Sequence, residues 1–220
     1  KINLQDKVTK ILPHMKLAGE FDFKDATIWN LLTHTSGLPR ESIHSYWDTL
    51  NFPSKDEVVE GLKHQKQAIP KSTISKYSNL AYGMLGEIIT ISSGVRYEEY
   101  IEKNILERLG LKNSFIRNMN PQHKNFATGY NRKLPGRNRD VTPFVETNYI
   151  APAANLCSTV QDLTVFLQSF MAKKEILLQS NTINDTLRCQ LVGESWVDGF
   201  GLGFSLARHE NMTLIGHNGG

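Results

Sequence analysis

The hydrophobic period of the chain changes near residue 195, and that change constrains the fold more than any other feature. Before it, apolar residues recur at helical spacing. Thr27 can cap a helix through Ile28, Trp29, Leu31 and Leu32, with Gly37 suited to a left-handed stop. Ser54 and Glu57 form a capping box ahead of Val58, Val59 and Leu62, and Ser158 and Gln161 form another ahead of Val160, Leu163, Phe166, Leu167 and Phe170. Leu80, Met84, Leu85, Ile88 and Ile89 mark a buried helix face stopped by Gly94. Tyr100, Ile101, Ile105 and Leu106 mark another stopped by Gly110. A short helix over 4–17 ends at Pro13, and a weaker one covers 181–191. After the change, Phe200, Leu202, Phe204 and Leu206 alternate with Gly201, Gly203 and Ser205, the period of a strand. His209, Glu210 and Asn211 make a turn, and 212–215 gives a second strand, so a hairpin is the simplest connection. Helices followed by strands predict an α+β fold in one domain over 1–220. Its helical part runs to about residue 195 and its hairpin covers about 199–218. Residues 112–150 are rich in Asn, Pro, Gly and Arg, and a long irregular stretch of this kind is often a functional loop or lid.

Charge excludes several classes of function. Lys plus Arg is 25 against 22 acidic residues, a formal charge of +3. The basic residues scatter, apart from Arg132, Lys133, Arg137 and Arg139 in the irregular stretch, which read as a solvated loop. A nucleic-acid face would need wider basic surface and aromatic platforms. No apolar run reaches the roughly 18 residues of a membrane span. Cys157 and Cys189 form no CxxC pair, and the histidines show no HExxH or other ligand spacing, so neither a metal nor a cofactor is expected. The chain opens on Lys1 without an initiator Met or signal sequence and ends on Gly219-Gly220 beside a strand, so both ends are expected to be cut from a longer protein.

The chemistry is expected at Tyr77-Ser78-Asn79. In an extended segment, residues i and i+2 point to one side. The Tyr77 hydroxyl and the Asn79 amide then face one cleft, Ser78 turns away, and Asn79 can cap the helix behind it. His217-Asn218-Gly219 is the expected spatial partner. His34 reads as a hydrogen-bonded structural histidine rather than a catalyst. Trp29, Trp47 and Trp196 read as packing, with Trp47 able to line a cleft.

These residues resemble a known family. The stretch Leu31-Leu32-Thr33-His34-Thr35-Ser36-Gly37-Leu38 resembles the LLTHTSGL segment of the serine β-lactamase-like hydrolases. That superfamily includes class C β-lactamases, penicillin-binding D-Ala-D-Ala carboxypeptidases, D-aminopeptidases and carboxylesterases. Tyr77-Ser78-Asn79 is similar to their Tyr-x-Asn motif. Residues 155–163 resemble their helix-opening segment. Gly216-His217-Asn218-Gly219-Gly220 resembles the third motif, Lys-Thr-Gly or His-x-Gly on a strand. The family nucleophile is the serine of Ser-x-x-Lys, a pattern that does not occur in these 220 residues; truncation explains this, and a non-catalytic binding or regulatory homologue is the alternative.

The resemblance implies a serine hydrolase acting on a small-molecule or peptide ester or amide through an acyl-enzyme. Tyr77 would share proton transfer, Asn79 would donate to the substrate amide, and His217 would act from the opposite side. Gly219 would allow close backbone approach, and the Gly220 N–H would supply half of the oxyanion hole. His217 in place of lysine tilts the substrate toward an ester or peptide rather than a dedicated β-lactam. The resemblance further implies that strands outside this chain complete the sheet, which leaves an open edge able to self-associate. It also implies a periplasmic, secreted or membrane-anchored protein.

Overall fold

A computed structural model of the chain describes residues 1–19, 21, 23–117, 120, 125–171 and 175–219. Its elements follow the order the hydrophobic period requires: α1 (Val8–Ile11), α2 (Ile28–Leu32), α3 (Lys55–Leu62), α4 (Asn79–Ser93), α5 (Tyr97–Ile101), a π-helical turn (Glu102–Leu106), α6 (Glu107–Leu109), α7 (Ala151–Ala154), α8 (Val160–Met171) and α9 (Ser180–Leu187). Strands β1 (Leu191–Val192), β2 (Asp198–Phe200), β3 (Ser205–His209) and β4 (Met212–Gly216) then form an antiparallel sheet in sequential order. The α+β class holds. The β-lactamase-type arrangement of helices on an antiparallel sheet is present in part.

Helix α4 organises the helical region. Leu80, Ala81, Met84 and Ile88 lie on one face and are fully or almost fully buried among Val8, Leu12, Ile28, Leu31, Leu38, Tyr46 and Leu62. On another face Gly83 admits the Tyr149 ring, since a Cβ there would stand 2.5 Å from Cε1. Gly94 ends the helix at φ 73°, the left-handed stop its position suggests. The cap differs from expectation. Asn79 is the first helical residue, and Ser78 is the cap, its Oγ accepting from the Ala81 N–H at 3.0 Å. Serine in this extended position reaches the orphan amide that Asn79 would have had to satisfy.

The Thr27 and Ser54 capping boxes are both formed, the first closed by Asn30. At α8 the cap is Thr159, which accepts from the Asp162 N–H at 3.3 Å. Ser158 instead bonds Ser114 at 2.7 Å, so competition from a tertiary partner moves the cap by one residue.

The sheet holds more than the expected hairpin. β1 and β2 pair ahead of it, with Leu191 opposite Phe200 and Val192 opposite Gly199. The alternation from Phe200 to Leu206 is also not one strand. It breaks at a turn in which the Gly201 N–H donates to the Phe204 carbonyl at 2.8 Å. Gly203 takes φ 84° there. Glycines alternating with apolar residues mimic a strand period while supplying the freedom that a reversal needs. The β3–β4 hairpin is in the expected place, pairing Ser205 with Gly216 through to His209 with Met212 around Glu210 and Asn211.

Candidate active site

The segment that carries Tyr77 is fastened along its length to residues 33–40. The Ser72 N–H donates to the Thr35 carbonyl and the Lys76 N–H to the His34 carbonyl, both at 2.8 Å. The Ser78 N–H donates to Nδ1 of His34 at 3.1 Å. The Ser78 hydroxyl donates to the Pro39 carbonyl at 2.7 Å, and the Asn79 N–H donates to the Arg40 carbonyl at 2.8 Å. Gly37 belongs to this fastening rather than to a helix end. It takes φ 76°, and a Cβ there would lie 2.1 Å from the Ile69 carbonyl oxygen. The helix itself stops earlier, with Thr33 as its C-cap.

His34 is the hub of this support. It is buried, and its ring lies 4.5 Å from Tyr77 and 5.0 Å from Tyr82, measured between centroids. Phe200, at the end of β2, approaches its edge at 5.9 Å. Burial, with a smaller contribution from His217, lowers the His34 pKa from 6.5 to about 4. The bond from Ser78 requires a lone pair on Nδ1, so geometry and electrostatics both hold the ring neutral. The expected structural role of His34 fits these contacts.

Two residues remote in sequence meet beside this hub. The Tyr77 and His217 ring centroids are 5.9 Å apart. His217 follows β4 and is exposed. Its Nδ1–H donates to the Asn218 carbonyl at 2.6 Å. Tyr77 is half-buried, and burial raises its pKa. The Arg40 guanidinium, 5.6 Å from the Tyr77 ring centroid, opposes that rise, while the Glu41 carboxylate adds to it. A cavity of about 490 Å³ lies elsewhere, against Gly83, Gly86, Glu87 and Tyr149, and neither the half-buried Tyr77 nor the exposed His217 lines it.

Asn79 is also here, buried, but its amide already has a partner: Nδ2 donates to Oε1 of Glu41 at 2.7 Å. Glu41 accepts in addition from the Tyr46 hydroxyl and from Trp47 Nε1 at 2.9 Å, and it pairs with Arg40 at 3.3 Å. Trp47 therefore stands beside the site as a hydrogen-bond donor. Gly219 is exposed, and a Cβ there would meet no described atom within 4 Å. Gly220 lies outside the described residues. Sequence reasoning missed Arg40 and Glu41. Their one signal is a charged pair directly after Leu38-Pro39, at the end of the LLTHTSGL-like stretch. Among the described residues no group of His, Cys, Asp and Glu could hold a metal ion.

The fold is that of the β-lactamase and penicillin-binding-protein-like superfamily. Residues 1–220 match the Beta-lactamase family, and the chain belongs to it. It is 26% identical over 188 residues to Beta-lactamase-like protein 2 of Dictyostelium discoideum, an alignment covering 84% of this chain and 34% of that protein. Among solved structures, the octameric penicillin-binding protein homologue from Pyrococcus abyssi is similar at a TM-score of 0.82 and 26% identity, over 98% of this chain and 50% of that one. A class C beta lactamase matches at a TM-score of 0.75 and 25% identity, over 94% and 53%. The chain thus spans about a third of that curated relative and about half of those solved chains.

Proposed function

We propose that this chain supplies the proton-transfer and substrate-binding half of a serine hydrolase that cleaves an ester or amide through an acyl-enzyme. The observation that carries this reading is the approach of Tyr77 and His217, 140 positions apart in the sequence, with the buried His34 against Tyr77. The nucleophile would be the serine of a Ser-x-x-Lys in polypeptide outside these 220 residues. Its Oγ would attack the carbonyl carbon and pass its proton to the Lys of that motif; collapse of the tetrahedral intermediate would break the C–O or C–N bond and expel the alcohol or amine with a proton from Tyr77, which that Lys restores. Tyr77, its pKa raised by burial, keeps its proton at neutral pH and suits protonation of that leaving group. To act as a base it needs a cation beyond Arg40, which the Lys of Ser-x-x-Lys would bring. Water then attacks the acyl-enzyme and releases the acid.

Asn79 is held for substrate by Glu41. Nδ2 carries two hydrogens, and the one given to Glu41 leaves the other, with Oδ1, for a substrate amide. His217 offers Nε2 from the far side. Gly219 would give a substrate backbone-close approach, and by family resemblance the N–H of Gly220, outside the described residues, would be one oxyanion donor.

The test is covalent. The protein extended by the residues encoded upstream of Lys1 is treated with a fluorescent phosphonate and with a penicillin, and the adduct is located by mass. One adduct on the serine of a Ser-x-x-Lys is expected, with turnover in Tyr77→Phe lower by roughly 10²–10⁴. Unchanged turnover in that variant removes Tyr77 from the mechanism. No labelled serine favours the non-catalytic binding homologue.

A further inference from the structure

The net charge of this chain is concentrated in one exposed arm. Residues 129–142 hold Arg132, Lys133, Arg137 and Arg139 against Asp140 alone, so this segment carries +3, the formal charge of the whole chain. The rest is balanced. Every residue from 127 to 143 is exposed. The arm is a narrow hairpin: Tyr130 and Val141 form an antiparallel bridge. The Asn131 N–H donates to the Asp140 carbonyl and the Thr142 N–H to the Gly129 carbonyl, both at 2.9 Å. Its tip is a turn with Pro135 and a left-handed Gly136 at φ 72°, closed by the Arg137 N–H on the Leu134 carbonyl at 3.3 Å.

Several cations elsewhere have a carboxylate partner. Arg117 is held by Glu102 and Glu99, Lys7 by Asp25 and Lys55 by Glu87. Among the described residues, none of the four arm cations has an ion-pair partner. Apolar side chains interleave with them: Tyr130, Leu134 and Val141 are 54%, 52% and 60% exposed. Single exposed apolar residues are ordinary, but three on one unpaired basic hairpin call for a partner both anionic and apolar.

We propose that the 129–142 hairpin docks the protein peripherally on an anionic lipid surface. Leu134 enters the headgroup–acyl boundary at the tip, Tyr130 lies at headgroup depth, and the four cations pair with lipid phosphates and carboxylates. A nucleic-acid strand fits less well, because the arm has one aromatic platform and gains nothing there from Leu134 and Val141. An acidic protein would need a recess to fill, whereas the arm projects. No helix among the described residues is long and apolar enough to cross a membrane, and the proposed contact is that of the hairpin alone.

The experiment is co-sedimentation of the chain with vesicles of 70:30 phosphatidylcholine and phosphatidylserine (a composition of about 30% anionic lipid), against vesicles of pure phosphatidylcholine. Binding to the anionic vesicles alone is expected, and raising the salt should weaken it. Arg139→Gln should lower the partition coefficient about fivefold, and Gln at all four positions by about 10²–10³. Leu134→Ser, at unchanged charge, should lower it by about tenfold. Circular dichroism should stay unchanged throughout. Absence of binding, or equal binding by the four-Gln variant, overturns the proposal. So does Leu134→Ser binding as the parent does while a single-stranded oligonucleotide binds as tightly as vesicles, which would make the arm a general polyanion site.

Discussion

The two sides of the candidate site are built differently. The helical side buries its supports: Thr33, His34, Thr35, Ser36 and Ser78 are 0–3% exposed, and the backbone around Tyr77 is tied to residues 33–40. The sheet side is open. Met212 to Ile215 on β4 are all exposed, and His217 hangs beyond them. The position of Tyr77 is therefore set by a packed core, and that of His217 by hairpin pairing. Preorganisation of this kind is lopsided, with one wall rigid before any ligand arrives.

The contrast breaks first if core truncation under α4 is tolerated. Met84→Ala, at a fully buried position, should cost about 2–5 kcal/mol, read as a fall in urea midpoint at unchanged m-value. A cost under about 1 kcal/mol would mean that the helical wall is not rigid.

Acid sharpens the contrast next. The folded pKa of His34 is lowered to about 4 from 6.5, so between those values the unfolded chain binds the extra proton. Stability should then be fully present above about pH 6.5 and fall as the pH drops toward 4, by on the order of 3 kcal/mol in all. His34→Asn, which tolerates the φ of 57° at this position, should flatten that window. Urea midpoints measured from pH 4 to 7 decide it.

Ser78→Ala should cost about 2 kcal/mol, through loss of both the α4 cap and the bond to the Pro39 carbonyl, whereas Asn79→Ala should leave the cap intact. At the small end, Leu214→Ser on the exposed β4 should stay within about 0.5 kcal/mol. A large loss there would show that the sheet side is packed after all.

What the sequence revealed follows the same division. The Thr27 and Ser54 boxes and the stops at Gly94 and Gly110 were legible because caps are local chemistry. The meeting of Tyr77 with His217 was legible only through resemblance, since no period links residues so far apart. β1 and β2 were not, because strands of two and three residues are too short to show alternation. Gly201 and Gly203 misled for the reason given above, a turn that copies a strand period. Arg40 and Glu41 stayed hidden because a lone charged pair in a loop has no pattern. Their importance comes from being folded back onto Asn79 and Tyr77.

The most direct test is an NOE measurement on the folded chain with both ring systems assigned. Cross-peaks between the ring protons of Tyr77 and His217 are expected at the 5.9 Å centroid separation, beside the Tyr77–His34 peaks expected at 4.5 Å. Tyr77–His34 peaks without any from His217 would contradict the shared site and leave the imidazole with no part in it.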